Sequence, residues 1–239
     1  MKKLFLPLLL ATVAITTGFA AEEHYPAQNW SFKGVRAAWD KDELYRGYTV
    51  ATQVCLACHS FKYVNHRDLM RVGFTENEVK AMAGALKMTV DQPIVSNLTD
   101  KDAQDMYGKI PPDLSLMVKA REGLADYVYA VLTGFDDKSP EIAKDFPQGM
   151  PKGTYFNHAF PGHAIAMPAP LTGPDMVTYH DKTAATVPQM AHDVTTFLQW
   201  TAEPERMERQ RLGVFVILYL IIFSALAYAT KRIIWRNVH

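Results

Sequence analysis

Apolar residues crowd the two ends of the chain and fall into helical spacing between them. Leu4 to about Ile15 is apolar, follows Lys2 and Lys3, and leads into Gly18-Phe19-Ala20, with small residues at alternate positions. That is the pattern of a secretory signal peptide cleaved after Ala20, and its apolar core is too short for a span of ~20 residues. Gly213 to Thr230 carries no charge; Arg209 and Arg211 precede it, and Lys231, Arg232 and Arg236 follow. Lengthened by Leu212 and Ile233-Ile234, it is long enough to span a bilayer and is apolar on every side. The flanks carry similar Lys/Arg counts, so the leader sets the orientation. The reading is a signal peptide over 1–20, an exported domain over 21–204, and an anchor with a short cytoplasmic tail over 205–239.

Within the exported part, residues 21–40 form an irregular arm. Lys41 to Val54 has helical spacing, with Asp40 as cap and Leu44, Tyr48 and Ala51 on one face. Residues 75–88 predict a second helix, capped by Thr75 with Glu78 three residues on. Residues 89–112 read as loop, ending in Pro111-Pro112. Leu114 to Leu132 reads as helix with one glycine interruption, stopped by Gly134. Asp136 to Thr186 is rich in Pro, Gly, Asp and His and has little periodicity. Val187 to Trp200 is helical again. No strand alternation persists, so the expected class is all-α, with a long irregular loop region and one C-terminal transmembrane helix.

Charge narrows the function classes. Lys+Arg and Asp+Glu are both 25, without the basic surplus of a nucleic-acid binder. Two acidic groups, Asp40, Asp42, Glu43 and Asp136, Asp137, stand out as surfaces that would steer a basic partner.

The chain has two cysteines, Cys55 and Cys58, and His59 follows at once. C-x-x-C-H is the attachment signature of a c-type haem: each thiol adds to one vinyl group and the histidine reaches the iron. Export agrees, because such attachment occurs outside the cytoplasm. The competing readings lack support. A thioredoxin-like pair needs a βαβ setting, a zinc site needs more ligands at the right spacing, and a plain disulfide ignores His59. The sixth position on the iron is either open, for ligand binding or catalysis, or closed by a methionine that raises the potential. Of eleven methionines, Met150 and Met167 lie in the Pro-rich loop, each before a proline; His158 and His163 are the other candidates there.

At this point the sequence resembles the cytochrome c1 family, the haem subunit of the quinol–cytochrome c oxidoreductase. The resemblance runs from about Trp30 to the C-terminus. It rests on R-G-Y-x-V-x-x-x-V-C-x-x-C-H-S (Arg46 to Ser60), P-P-D-L-S (Pro111 to Ser115), A-R (Ala120, Arg121), D-Y-V (Asp126 to Val128) and L-T-G (Leu132 to Gly134). It continues through Y-F-N-x-x-F-P-G-x-A-I-x-M (Tyr155 to Met167) and D-V-x-x-F-L-x-W-x-A-E-P (Asp193 to Pro204). It implies a c-type cytochrome domain holding one covalent haem c at Cys55 and Cys58. His59 and Met167 would be the iron ligands, Arg121 would sit near a propionate, and the Pro112 carbonyl would orient the axial histidine. It also implies an electron-transfer subunit with no substrate-transforming site of its own. Such a subunit sits in a bacterial inner membrane beside cytochrome b, takes electrons from a Rieske iron–sulfur protein and passes them to a cytochrome c. Other readings of the residues are a membrane cytochrome serving a terminal oxidase, and an anchored haem sensor or enzyme with an open sixth site. Relative to many family members, the segment before Pro111 is short, and a cysteine pair that some carry in the later loop is absent.

Overall fold

The computed structural model describes residues 25–34 and 37–237; the segment read as a signal peptide lies outside them. Among the described residues the helices are α1 (Lys41–Gln53), α2 (Glu76–Ala85), α3 (Asp100–Tyr107), α4 (Leu124–Thr133), α5 (Glu141–Asp145), α6 (Val187–Ala202) and α7 (Arg206–Ile234). Two short antiparallel ribbons join β1 (Phe61–Asn65) to β2 (Pro93–Ile94) and β3 (Tyr155–Phe156) to β4 (Ala164–Ile165). The chain is thus mostly helical, as its periodicity predicts.

The frame is the α1–α6 pair. Asp40 starts α1 by accepting the Glu43 amide at 2.8 Å, one of the amides that the first turn of a helix leaves unpaired. Leu44, Tyr48 and Ala51 face inward as their spacing requires. Gly47 lets the two helices approach to backbone contact: a Cβ there would land on the Asp193 carbonyl and on Cβ of Phe197. Phe197 then meets the rings of Tyr48 and Phe61 at 5.9 and 5.8 Å, and α4 packs on α6 as well. Thr75 and Glu78 form the expected reciprocal cap on α2, at 3.3 and 2.6 Å.

A polar seam crosses this frame. Glu43 and Asp193 are buried. Glu43 accepts from Ser31 (2.6 Å) and Thr196 (2.7 Å) and faces His192 at 3.3 Å. Arg46 donates from Nε to both oxygens of Asp193 at 3.1 Å and from Nη1 to Asp181 at 2.7 Å. Of the first acidic group read from the sequence, Glu43 is internal, whereas Asp40, which caps α1, and Asp42, 3.4 Å from His180, remain exposed.

Three segments differ from their expected structure. Residues 89–112 include β2 and α3, the latter capped by Thr99. The helix expected from Leu114 begins only at Leu124. Before it, the Asp113 side chain takes the local Ser115 amide, competing with helical bonding, and Asp113 and Ser115 also take the Lys62 and Tyr63 amides from β1. Gly123 and Leu124 then take φ of +80° and +53°, which interrupts helical geometry. The stretch 136–186 contains α5 and the β3–β4 ribbon, elements too short to leave a period. α7 is exposed along its length and is long and apolar enough to cross a membrane.

Candidate haem site

The C-x-x-C-H segment follows α1 directly. Val54 continues the helical hydrogen bonding to Val50, and Cys55–Ala57 tighten into a 3-10 turn whose Cys55 carbonyl accepts from the Cys58 and His59 amides. The turn presents both thiols and the imidazole from one short stretch. Neither cysteine is in a disulfide. Burial, with the Cys58 sulfur nearby, pushes the Cys55 thiol up to about 12. That is opposite to the depressed value of a redox-active thiolate.

His59 is held from one side. Its Nδ1 lies 2.7 Å from the Pro112 carbonyl oxygen, which fixes the Nδ1–H tautomer and leaves Nε2 as the lone-pair nitrogen. Burial lowers the His59 pKa, against the smaller opposing pull of that carbonyl and of Asp113. A neutral imidazole is the form that binds a metal. The carbonyl is placed by a clip between two segments. The Leu114 amide donates to the Ser60 carbonyl (2.8 Å), the Lys62 amide to Asp113 Oδ2 (2.8 Å), and the Tyr63 amide to Ser115 Oγ (3.1 Å). Asp113 and Ser115 are thus positioning residues that motif reading passes over; the alternation of polar residues in P-P-D-L-S is the signal that could have found them.

Met167 lies two residues beyond β4, half-buried and packed against the main apolar cluster that also takes in Cys55, Met117 and Phe160. Asn157 supports this region from inside. Fully buried, it donates to the Val131 carbonyl at 2.8 Å and accepts from the Ala159 and Phe160 amides at 3.0 and 3.1 Å. It therefore ties the ribbon to α4, another role that the sequence does not announce. Met150, after Gly149 at φ +89°, is not in that cluster. His158 and His163 are engaged elsewhere: His158 with Glu141 (3.2 Å) and Asp136 (3.5 Å), His163 with Asp145 (2.6 Å).

Arg121 is exposed, and its Nη1 donates to the Ala120 carbonyl at 2.9 Å. Among the described residues it has no carboxylate partner. Asp126, the nearby acid that could have paired with it, instead takes the Gln28 amide, the Trp30 indole N–H and the Lys33 ammonium at 2.9, 2.6 and 2.8 Å. Large apolar side chains flank these groups in the open. Tyr107 is 43% exposed with its hydroxyl 4.0 Å from Cys58 Sγ, and Ile110 and Leu124 are exposed beside Pro111 and Arg121. Two thiols, an imidazole oriented from behind, a half-buried thioether, a guanidinium with no carboxylate partner among the described residues, and exposed apolar walls are the donor set and surroundings that fit a haem c.

Comparison with known proteins agrees. The model of the Cytochrome C1 family matches residues 30–238. Cytochrome c1 of Rhodospirillum rubrum is 35% identical, covering 97% of this chain and 96% of that one. The Saccharomyces cerevisiae protein described as cytochrome c1, heme protein, mitochondrial, is 38% identical over 90% of this chain and 73% of its own length. A Candida albicans relative named as the cytochrome b-c1 complex catalytic subunit is 37% identical over 90% of this chain and 78% of its own. On this match, which runs through every motif of the site, the chain belongs to the cytochrome c1 family.

Proposed function

We propose that this chain is the haem-bearing electron relay of a quinol–cytochrome c oxidoreductase, accepting single electrons from a Rieske iron–sulfur protein and passing them to a cytochrome c. The observation that carries the reading is the 2.7 Å contact between His59 Nδ1 and the Pro112 carbonyl, next to two unpaired thiols. Cys55 and Cys58 would hold the haem covalently, His59 and Met167 would ligate its iron, and Arg121 would face a propionate. When bound, the haem would supply a one-electron couple, with His59 and Met167 as the residues that hold its iron. The chain's own contribution is rigidity. The Pro112 clip holds the imidazole, the Asn157 ties hold the methionine loop, and burial favours the neutral imidazole, so little of the protein would reorganise when the charge changes. The residues transform no substrate.

The relatives' names and the apolar α7 support a membrane-anchored subunit working beside cytochrome b. In our reading the anchor is a single span in a bacterial inner membrane. The leader over 1–20 and the extracytoplasmic chemistry of C-x-x-C-H support a haem domain, residues 21–204, on the periplasmic side.

The test is spectroscopic. Haem should stay with the polypeptide after acid–acetone extraction, and Cys55→Ser with Cys58→Ser should release it. Met167→Leu should abolish the thioether-to-ferric-iron absorption band in the red, lower the midpoint potential and admit carbon monoxide; Met150→Leu should do none of these. Extraction of all haem from the unaltered chain would overturn the reading. Loss of the band in the Met150 variant alone would move the ligand.

A further inference from the structure

The underside of the globular domain carries apolar side chains in the open, next to the point where α7 leaves it. Glu203 ends α6, and its carboxylate gathers Lys119 (3.1 Å), Arg206 (2.9 Å) and Arg209 (2.6 Å). Glu205 pairs with Arg71 at 2.8 Å. These pairs tie two turns of the domain to the foot of α7: the 3-10 turn His66–Val72 through Arg71, and the turns of 114–120 through Lys119. Each turn exposes a large apolar residue beside its ion-paired cation. Met70 precedes Arg71 and is 42% exposed; Leu116, whose carbonyl accepts the Lys119 amide at 3.1 Å, is 46% exposed. The Tyr63 amide is bound to Ser115 Oγ beside Leu116, and Tyr63 is 73% exposed. Arg211 adds an exposed cation one residue before the apolar run of α7 begins.

We infer that this face, which carries Met70, Leu116 and Tyr63 together with the cations of the α6–α7 junction, is seated in the headgroup layer of the bilayer that α7 crosses. The mixture is the one that interfaces select. Tyrosine offers an apolar ring and a polar tip, and arginine and lysine lay apolar stems along the acyl boundary; four of the heads are held by Glu203 and Glu205, which leaves exposed Arg211 as the head that reaches phosphate. Continuity with the span selects the occupant. Ion pairs hold both turns to Glu203 and Glu205, in the short junction where α6 passes into α7, so this face adjoins the point where the span begins. The domain would then be docked at a fixed tilt, rather than swinging on its anchor. The inference rests on the reading of α7 as a membrane span.

The test uses the full, haem-loaded chain in nanodiscs of phosphatidylethanolamine and phosphatidylglycerol. The native cysteines are consumed as thioethers in that form, so a single introduced thiol is the one that reacts. Met70→Cys and Leu116→Cys are compared with Met106→Cys, which sits on α3 and is 66% exposed, and with Leu220→Cys in the middle of α7. At each site the rate with a charged, water-borne maleimide is divided by the rate with an apolar one. The ratios at Met70 and Leu116 should fall about tenfold below that at Met106, a difference of about 1.4 kcal/mol. Leu220 should fall further. Ratios at Met70 and Leu116 equal to that at Met106, with Leu220 protected, would overturn the docking while leaving the span intact. Protection that appears only when cytochrome b is present would also overturn it, assigning the face to a protein partner. A water-accessible Leu220 would overturn the span and the docking together.

Discussion

The α1–α6 pair and the segment from Phe135 to Thr186 solve one problem in opposite ways. Each must hold functional side chains in place while satisfying its backbone. In the helix pair the backbone satisfies itself, and Gly47 lets the two helices meet at backbone distance. Side chains there are free to fill a dense core around Phe197 and Trp200. In the loop segment, regular structure is limited to α5 and a two-residue ribbon. Individual side chains such as Asn157 take over the work of a helix ladder. The helix pair therefore spreads its stability over many contacts, whereas the segment that carries Met167 depends on a few polar atoms. Damage to the first should cost folding; damage to the second should cost the spectrum of the haem before it costs the fold.

The largest expected effect breaks the helix pair at its polar seam. Asp193→Ala leaves the Arg46 guanidinium, whose charged form both carboxylates favour, facing an empty fork in a buried site. Breaking such a pair by removing one partner costs about 3–5 kcal/mol. Because Arg46 keeps Asp181 at 2.7 Å, we expect a loss of about 3 kcal/mol, at the low end of that range, read as a lower denaturant midpoint of the haem-loaded protein. The band that reports the methionine ligand should persist at full strength in whatever fraction stays folded.

Asn157→Ala sharpens the comparison from the other side. It removes one donor and one shared acceptor inside the loop segment, for a cost of about 2 kcal/mol. Here the red thioether band should weaken or vanish under conditions where helix content is unchanged. A variant that loses global stability and keeps a normal band would mean that the ribbon holds Met167 without this side chain.

This contrast also explains what was legible in the sequence. Leu44, Tyr48 and Ala51 repeat at helical spacing because a helix buries one face, so α1 can be read from pattern alone; the caps at Asp40 and Thr75 are read the same way. Cys55, Cys58 and His59 are legible because covalent chemistry fixes their spacing. Asp113, Ser115 and Asn157 are not, because a side chain bound to a distant amide leaves no period. The buried seam was hidden for a related reason. Glu43 is one of three acids in a row of four residues, and nothing local distinguishes it from its solvated neighbours. Only Ser31, Thr196 and His192, from elsewhere in the chain, make it internal. Arg121 has no carboxylate partner among the described residues because Asp126, five residues on, is occupied by three donors from the N-terminal arm, which no local pattern shows.

The seam also gives the helix pair a pH dependence of its own. Burial pushes the Glu43 carboxyl up, but hydrogen bonds from His192, Ser31 and Thr196 outweigh it and leave the pKa lowered. The bond to Glu43 raises the pKa of His192. Its ring is sandwiched against Trp30 at 4.6 Å with Nε2 3.2 Å from the Asn29 carbonyl, so both ring nitrogens face acceptors and the protonated form suits the site. The lowered carboxyl adds stability that is present above its ordinary value of 4.5 and is lost as pH falls through the folded value. The raised imidazole adds stability that is complete below its ordinary value of 6.5 and is lost as pH rises through the folded value. The pair should therefore support the fold most between those ordinary values. His192→Gln should flatten the alkaline limb of a plot of Tm against pH. An unchanged limb would place the titration in another group.

The smallest effects separate two clips of similar strength. Thr75→Ala removes the cap of α2, and Asp113→Ala removes the acceptor for the Lys62 and Ser115 amides; each should cost about 1 kcal/mol of stability. Their consequences for the haem should differ. α2 carries none of the groups proposed to hold it, so Thr75→Ala should leave the midpoint potential unchanged. Asp113 adjoins the Pro112 carbonyl that faces His59 Nδ1. An imidazole bonded through Nδ1–H to a well-placed carbonyl is a stronger donor and favours the ferric state. Loosening that carbonyl should therefore raise the potential. Removing a negative charge near the site would shift the potential in the same direction, so Asp113→Asn is the deciding variant. It keeps an acceptor for the clip and drops the charge. If Asn restores most of the original potential, the clip is the cause; if Asn behaves like Ala, the carboxylate acts through its charge and Pro112 is held without it.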